Sequence, residues 1–378
     1  MATIKKILPP KDGSKPSNQA MKSFLKDSIH YNDVIPKEAI ISSGSLILDA
    51  AFKARSGMII RLVGKGAELG KAQPIWSNVL TPTGWKQIGE LQVGDEIMNS
   101  QGGVSQVLGV YPQGKKKINS MRFSDDSVVF CCDEHLWHTR TLSDRKFNKP
   151  GSVKNTLGIK ETLKARKTHS NHSIPYVKSM EFLRQNLPLD PYLLGALIGD
   201  GSFRHNYYVT LSTADSEVLD ECQKRLPKNL VFGKKQKYDY RIHNVEFVRQ
   251  IKELGLHKLY SHEKFIPQQY LIADVQQRKE LLQGLMDTDG TVCSNSCCEF
   301  STTSERLAQN VEFLAKSLGG KVKVKSRRTS YTHLGEKRQG KISYRVMISF
   351  TDFCPFKLSR KAQKYQNRTR LLEKYLID

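Results

Sequence analysis

The sequence predicts an α+β protein in two parts, a module of short strands followed by a duplicated unit of helices and strands. From residue 72 to about residue 140 turn signals recur at close, regular spacing and cut the chain into short strands. Further on, "LLGALIGDG" (Leu193 to Gly201) and "LLQGLMDTDG" (Leu281 to Gly290) are apolar helices that both end in Asp-Gly, their aspartates 289 − 200 = 89 residues apart. A chain of 378 residues, 38% of them hydrophobic, can bury substantial cores, and its length suits two or three domains.

The first 71 residues carry "AIISSGSLILDAAFKARSGMIIRLVGKGAELGK", which reads as a turn around Gly44, an amphipathic helix from Leu46, a turn at Gly57, a strand from Met58 to Val63 and a glycine-rich loop. That order resembles the start of the ATPase core of RecA-type recombinases, where loop amides cradle phosphates and Lys71 would reach the terminal ones. The usual first glycine falls at Lys65, between Gly64 and Gly66, and Ala72 stands where a hydroxyl should follow the lysine. The later ATPase motifs have no counterpart downstream, so residues 1–71 are expected to be a RecA-like fragment without ATP hydrolysis.

Residues 72–150 read as an all-β segment broken at "TPTGW", "VGDE", "NSQGG" and "YPQGK". "VLTPTGWKQIGELQVGDEI" and "SVVFCCDEHLW" resemble the N-terminal splicing blocks of inteins, which share the Hint fold. The resemblance explains the broken loop. If an intein interrupts the recombinase after Lys71, then Ala72 is its first residue and the hydroxyl belongs to the downstream flank. Inteins usually begin with Cys or Ser, which attacks the preceding carbonyl; Ala72 cannot, which leaves either direct attack on the Lys71 carbonyl by a downstream nucleophile or a disabled element. By the same resemblance His135 would hydrogen-bond the scissile amide and protonate its leaving nitrogen, with Cys132 in place of the family's usual threonine. The His-Asn pairs, His205-Asn206 and His243-Asn244, lie elsewhere than at an intein terminus. The Hint-like segment is thus expected to be incomplete, and a separate C-terminal polypeptide to complete it in trans. Residues 151–180 are basic and polar and read as a linker.

The two Asp-Gly helices, in residues 181–378, resemble the LAGLIDADG signature of homing endonucleases. At the same offset Gly195 falls on Gly284, and "LSTADSE" falls on "FSTTSER", so the unit is an internal duplication. Gly195, Ala196 and Gly284 would let the helices touch backbone to backbone. The resemblance implies two αββαββα repeats acting as a pseudo-symmetric monomer, in which Asp200 and Asp289 bind divalent metal, usually Mg²⁺, and each serves one strand of double-stranded DNA. "EKFIPQQYL" resembles the block whose lysine, here Lys264, lies near the scissile phosphate, and "FKLSRK" suggests Lys361 as its mate, with an ordinary surface lysine as the competing reading.

Sixty Lys+Arg against thirty-seven Asp+Glu give a net charge of +23, a field that attracts polyanions. The seven cysteines lack the paired CxxC spacing of a zinc site and read as free thiols. No apolar run approaches the length of a membrane span, so a cytoplasmic protein is expected. Its expected activity is metal-dependent cleavage of both DNA strands. The rivals are a catalytically inactive LAGLIDADG nucleic-acid-binding protein or maturase, and an ATP-dependent RecA-type recombinase fragment.

Overall fold

The computed structural model describes residues 59–63, 71–165, 169–294, 296–333, 336–369 and 372–378. The turn around Gly44, the helix from Leu46 and the glycine-rich loop that begins at Gly64 lie outside these residues.

Strands in the first part are two to five residues long, because a turn residue follows each short apolar stretch. Ile59–Val63 pairs antiparallel with Lys71–Pro74 on one side and with Gly109–Pro112 on the other. Asn78–Thr81 and Gly84–Gln87 form a tight hairpin, in which Gly84 holds φ +128° and the Thr81 hydroxyl donates to its carbonyl at 2.7 Å. Two small apolar cores result. One gathers Val79, Ile88, Ile97 and Val107, and the other gathers Met121, Phe123, Cys131, Ile159 and Leu376.

The stretch read as a linker is built into this module. Ser152–Asn155 pairs with Leu136–Thr139, and Ser173–Pro175 pairs with Glu373–Tyr375 from the far end of the chain. A buried ion pair fastens that last strand, with Arg140 Nη1 donating to Glu373 Oε1 at 2.8 Å. Strands this short show no period in sequence, and their partners are distant, so nothing local announces them. Residues 373–378 therefore pack with the strand module rather than with the repeats that precede them.

Each repeat runs helix, two strands, helix, two strands, helix. The first comprises Pro191–Asp200, Gly201–Ser202, Tyr208–Ser212, Ser216–Lys224, Gly233–Lys234, Asp239–His243 and Val245–Glu253. The second comprises Val275–Asp289, Gly290–Ser294, Cys297–Thr302, Glu305–Ser317, Lys321–His333, Glu336–Ser349 and Ser359–Ala362. In both sheets the last two strands exchange places in the spatial order. One continuous core spans the repeats, running from Leu193 and Leu197 through Leu281 and Leu285 to Phe300 and Val346; each such fully buried side chain contributes about 1.5–3 kcal/mol. Met98, Met180 and Phe182, together with the edge-on contact between Trp85 and Phe313, seat the strand module on the Glu305–Ser317 helix. Among the described residues no helix is long and apolar enough to cross a membrane.

Candidate active site

Two helices meet at the centre of the repeats. The Pro191–Asp200 helix starts where Asp190 accepts the Leu193 amide at 3.1 Å with Pro191 in the first turn, and the Val275–Asp289 helix starts with a capping box between Asp274 and Gln277. Residues 191–198 are buried all round, as befits a helix enclosed by a core. Small residues decide how close the two helices come. A Cβ on Gly195 would lie 2.3 Å from the Leu281 carbonyl oxygen, and one on Gly284 would lie 2.2 Å from the Tyr192 carbonyl oxygen. Since Tyr192 and Leu281 are also 89 residues apart, the two contacts are reciprocal, and a local two-fold relates the helices. Ala196 is fully buried in the same interface, and its amide would sit 2.8 Å from a Cβ on Gly284.

Both helices stop at Asp-Gly for the same reason. Gly201 and Gly290 turn into extended backbone, at φ −92° and −94°, while their amides still donate to Leu197 and Met286. A side chain there would press a Cβ to 2.3 or 2.5 Å from that same carbonyl. The chain then leaves directly as the first strand of each sheet, and the preceding aspartate is left at the helix end.

Asp200 and Asp289 are thereby brought together. A Cβ on Gly199 would approach Asp289 Oδ2 to 3.4 Å, so the second carboxylate reaches across to the last turn of the first helix. Both residues stay exposed at their helix ends, with their carboxyls partly desolvated. Burial raises the carboxyl of Asp200, against the pull of Lys264 and Lys361. Burial, and then the charge on Asp200, push Asp289 up to about 6. Each carboxylate disfavours the charge on the other, and a hard cation would relieve both.

The two lysines occupy matching places. Lys264 Nζ donates to the carbonyls of Ile198, Gly199 and Gly201 at 2.7, 3.1 and 2.8 Å, and Lys361 Nζ donates to those of Met286, Asp287 and Thr288 at 3.0, 2.6 and 3.2 Å. Each ammonium caps the C-terminal carbonyls of one helix, where the helix dipole favours a cation. An ammonium has three donors, and all three are engaged. The lysines therefore act on the site as fixed positive charges and as braces. Burial pulls Lys264 down to about 8 while the charges of Asp289 and Asp200 pull it back up, so it keeps its proton at neutral pH.

Sequence reasoning missed Asp287, two residues before Asp289. It is 2% exposed and accepts the Tyr192 phenol at 2.8 Å and the amides of Lys357 and Leu358 at 3.0–3.2 Å. The DTD spacing was the available signal. Among the described residues no group of three or more His, Cys, Asp or Glu could hold a metal ion.

Away from the helices, each sheet has a polar outer face. Arg241 lies over the Tyr208 ring at 4.2 Å in the first, and Lys325 and Arg327 are exposed in the second beside Arg345, which pairs with Glu299.

The splicing candidates lie elsewhere, in the strand module. Lys71 and Ala72 belong to the strand Lys71–Pro74, which packs beside Val128–Cys131. His135 follows that second strand; it is buried, edge-on to Trp137 at 4.6 Å, and its amide donates to the Cys132 carbonyl at 3.2 Å.

Residues 265–371 match the family model for homing endonucleases. The chain is 29% identical over 332 residues to the replicative DNA helicase DnaB of Mycobacterium intracellulare, across 82% of this chain and 53% of that one. It thus spans about half the length of that curated relative. Among solved structures, the gp41-1 intein shares 33% identity over 22% of this chain and 57% of its own, with a TM-score of 0.18. I-DmoI, solved with its target DNA and magnesium, shares 14% identity over 42% of this chain and 88% of its own, with a TM-score of 0.30.

Proposed function

From the homing-endonuclease match, we propose that this chain is an intein-borne endonuclease that cuts both strands of a double-stranded DNA target with Mg²⁺ as cofactor. The homing-endonuclease match over residues 265–371 supports the DNA-endonuclease activity; the cofactor, the target and the splicing role are our reading. One observation supports it above the rest: two aspartates delivered to one place by a glycine-lined helix pair, with a lysine bracing each helix end. The matched segment contains Asp289 and Lys361, and the duplication carries the assignment to Asp200 and Lys264.

An oxygen pair of this kind suits Mg²⁺, which is usually held by one or two carboxylates and fills its other positions with water and phosphate. When bound it would supply charge stabilisation and a more acidic water. The protein's own part is to hold Asp200 and Asp289 adjacent, to set Lys264 and Lys361 beside them as positive charges that favour their ionised form, and to track phosphates with its basic sheet faces.

The strand module is read as the splicing part. Ala72 provides no nucleophile, so joining would need one on a second polypeptide to attack the Lys71 carbonyl, with His135 assisting the leaving nitrogen. Ligation at Lys71 on co-expression, detected by mass spectrometry, would test this. The curated relative leads us to place the flanking segment in a helicase-like host rather than a recombinase.

The deciding experiment is strand-resolved cleavage of a plasmid carrying the P-loop codons uninterrupted after Lys71. Asp200→Asn or Asp289→Asn should abolish or strand-bias cutting while DNA binding persists. A double variant that cuts as fast as the parent would show that the aspartates do not act, and binding without any cutting by the parent would favour the inactive nucleic-acid-binding reading.

A further inference from the structure

At an offset of 89 the two repeats match at Gly195 and Gly284, at Gly201 and Gly290 and at the terminal aspartates, but not at residue 287. The residue 89 positions earlier is Ile198, an aliphatic side chain 1% exposed in the core. The second helix carries a carboxylate in the corresponding place. A buried carboxylate is costly unless its oxygens are satisfied, and here they are, by one phenol and two backbone amides. Those partners lie on both sides of it. Tyr192 belongs to the opposite helix, whereas the amides of Lys357 and Leu358 belong to the bend that leads into the short helix Ser359–Ala362, which carries Lys361. The Lys361 amide donates to the Leu358 carbonyl at 2.9 Å, and its ammonium returns to the Asp287 carbonyl at 2.6 Å. Residue 287 thus clasps this segment twice, by its side chain at the bend and by its backbone at the lysine head.

The first repeat secures its lysine differently. Ser304 Oγ donates to the Lys264 carbonyl at 2.7 Å, and Asn310 Oδ1 accepts the Ile266 amide at 3.0 Å, both from the Glu305–Ser317 helix and its cap in the other repeat. Among the described residues no carboxylate accepts from the Lys264–Ile266 backbone, although Glu263 accepts the Tyr260 amide in the preceding turn at 2.8 Å. The opposite repeat also helps hold the Lys361 segment, where Arg360 pairs with Asp215 at 2.7 Å and Ser359 donates to Glu217, but those pairs are more exposed and contribute less.

We propose that Asp287 is a positioning residue for one half of the site, fixing Lys361 over the end of the Val275–Asp289 helix so that cleavage of one DNA strand depends on it and cleavage of the other does not. This rests on the endonuclease reading above. The test uses the full chain and strand-specific end labels on the plasmid described there. Asp287→Asn should slow one strand about tenfold relative to the other, so that nicked plasmid accumulates. The slowed strand should be the one slowed by Lys361→Met, and combining the two should add little to Lys361→Met alone. Tyr192→Phe, which leaves the carboxylate and its amide contacts, should give the same bias more weakly. Equal slowing of both strands, unchanged rates, or slowing of the strand that Lys361→Met spares would overturn the proposal.

Hydrogen exchange, read independently of cutting, separates the two levels of inference. Asp287→Asn should raise exchange in a peptide spanning 355–365 and leave 260–268 as in the parent. If the parent cuts no DNA but exchange rises there, the nuclease reading fails and the clasp stands. If exchange is unchanged, the clasp is wrong whatever the parent cuts.

Discussion

Gly195→Ala sets two ordinary effects against each other. In an exposed helix the change would gain about 1 kcal/mol from propensity. Here the new Cβ would sit 2.3 Å from the Leu281 carbonyl oxygen and 3.0 Å from the Leu285 amide nitrogen, and neither backbone group can swing aside as a side chain could. To restore even a 3.0 Å contact the helices must part by about 0.7 Å, and overpacking of this kind costs about 1–3 kcal/mol. With backbone on both sides the upper end applies, which leaves a net loss of about 2 kcal/mol and a melting temperature lower by roughly 4–8 °C. The catalytic loss should be larger in proportion, because the same movement separates Asp200 from Asp289, and an error near 1 Å can cost about a hundredfold. Gly284→Ala should behave alike, its contact with the Tyr192 carbonyl being 2.2 Å. Thermal denaturation and cleavage rates measured on the same preparations test this. A variant as stable as the parent, or more stable by the propensity gain, would refute the close-contact reasoning.

Two further outcomes follow from buried charge. Glu373→Gln or Arg140→Met breaks a pair whose side chains are 6% and 8% exposed, and should destabilise the strand module by about 3–5 kcal/mol; chemical denaturation reads this, with Lys116→Met at the exposed partner Glu134 as a near-neutral control. Asp289 holds its proton up to about 6, above the ordinary 3.8, so without divalent cation the folded chain binds a proton between about pH 4 and 6 that the unfolded chain has released. Stability from this group is therefore greatest at low pH and is lost as pH rises through 6, a slope that Asp289→Asn should lessen in the melting curve, while Asp287, pushed by burial to about 6 as well, keeps the remainder. Mg²⁺ should expel the proton, and calorimetry in buffers of different ionisation enthalpy should show more proton release at pH 6 than at pH 8.

What could be read in advance depended on whether a residue's partner was near it in sequence or repeated elsewhere. The aspartates and the helix glycines were legible because the second copy repeats them without a gap, and two copies make a pattern of what one leaves ambiguous. Lys361 was harder: it follows Lys264 by 97 residues rather than 89, because the long strands Lys321–His333 and Glu336–Ser349 stand where the first repeat has shorter ones. Asp287 gave only its spacing. Its partners are an aromatic ring 95 residues earlier and two backbone amides 70 and 71 residues later, and no periodicity encodes a contact with an amide. The strands between 151 and 180 were hidden for the same reason, since their order comes from residues 136–139 and 373–375 rather than from themselves.

The pairing of Ser173–Pro175 with Glu373–Tyr375 brings together the two places where the chain departs for the repeats and comes back. Seen from the strand module, nearly two hundred residues of enzyme amount to one hairpin connection. Closing such a connection costs about 3 kcal/mol more than closing a turn of about six residues, because each doubling of its length adds only about 0.6 kcal/mol. A unit inserted at this place leaves the two strands that flank it paired with each other. The junction is two strands wide, and the Arg140–Glu373 pair stands beside it.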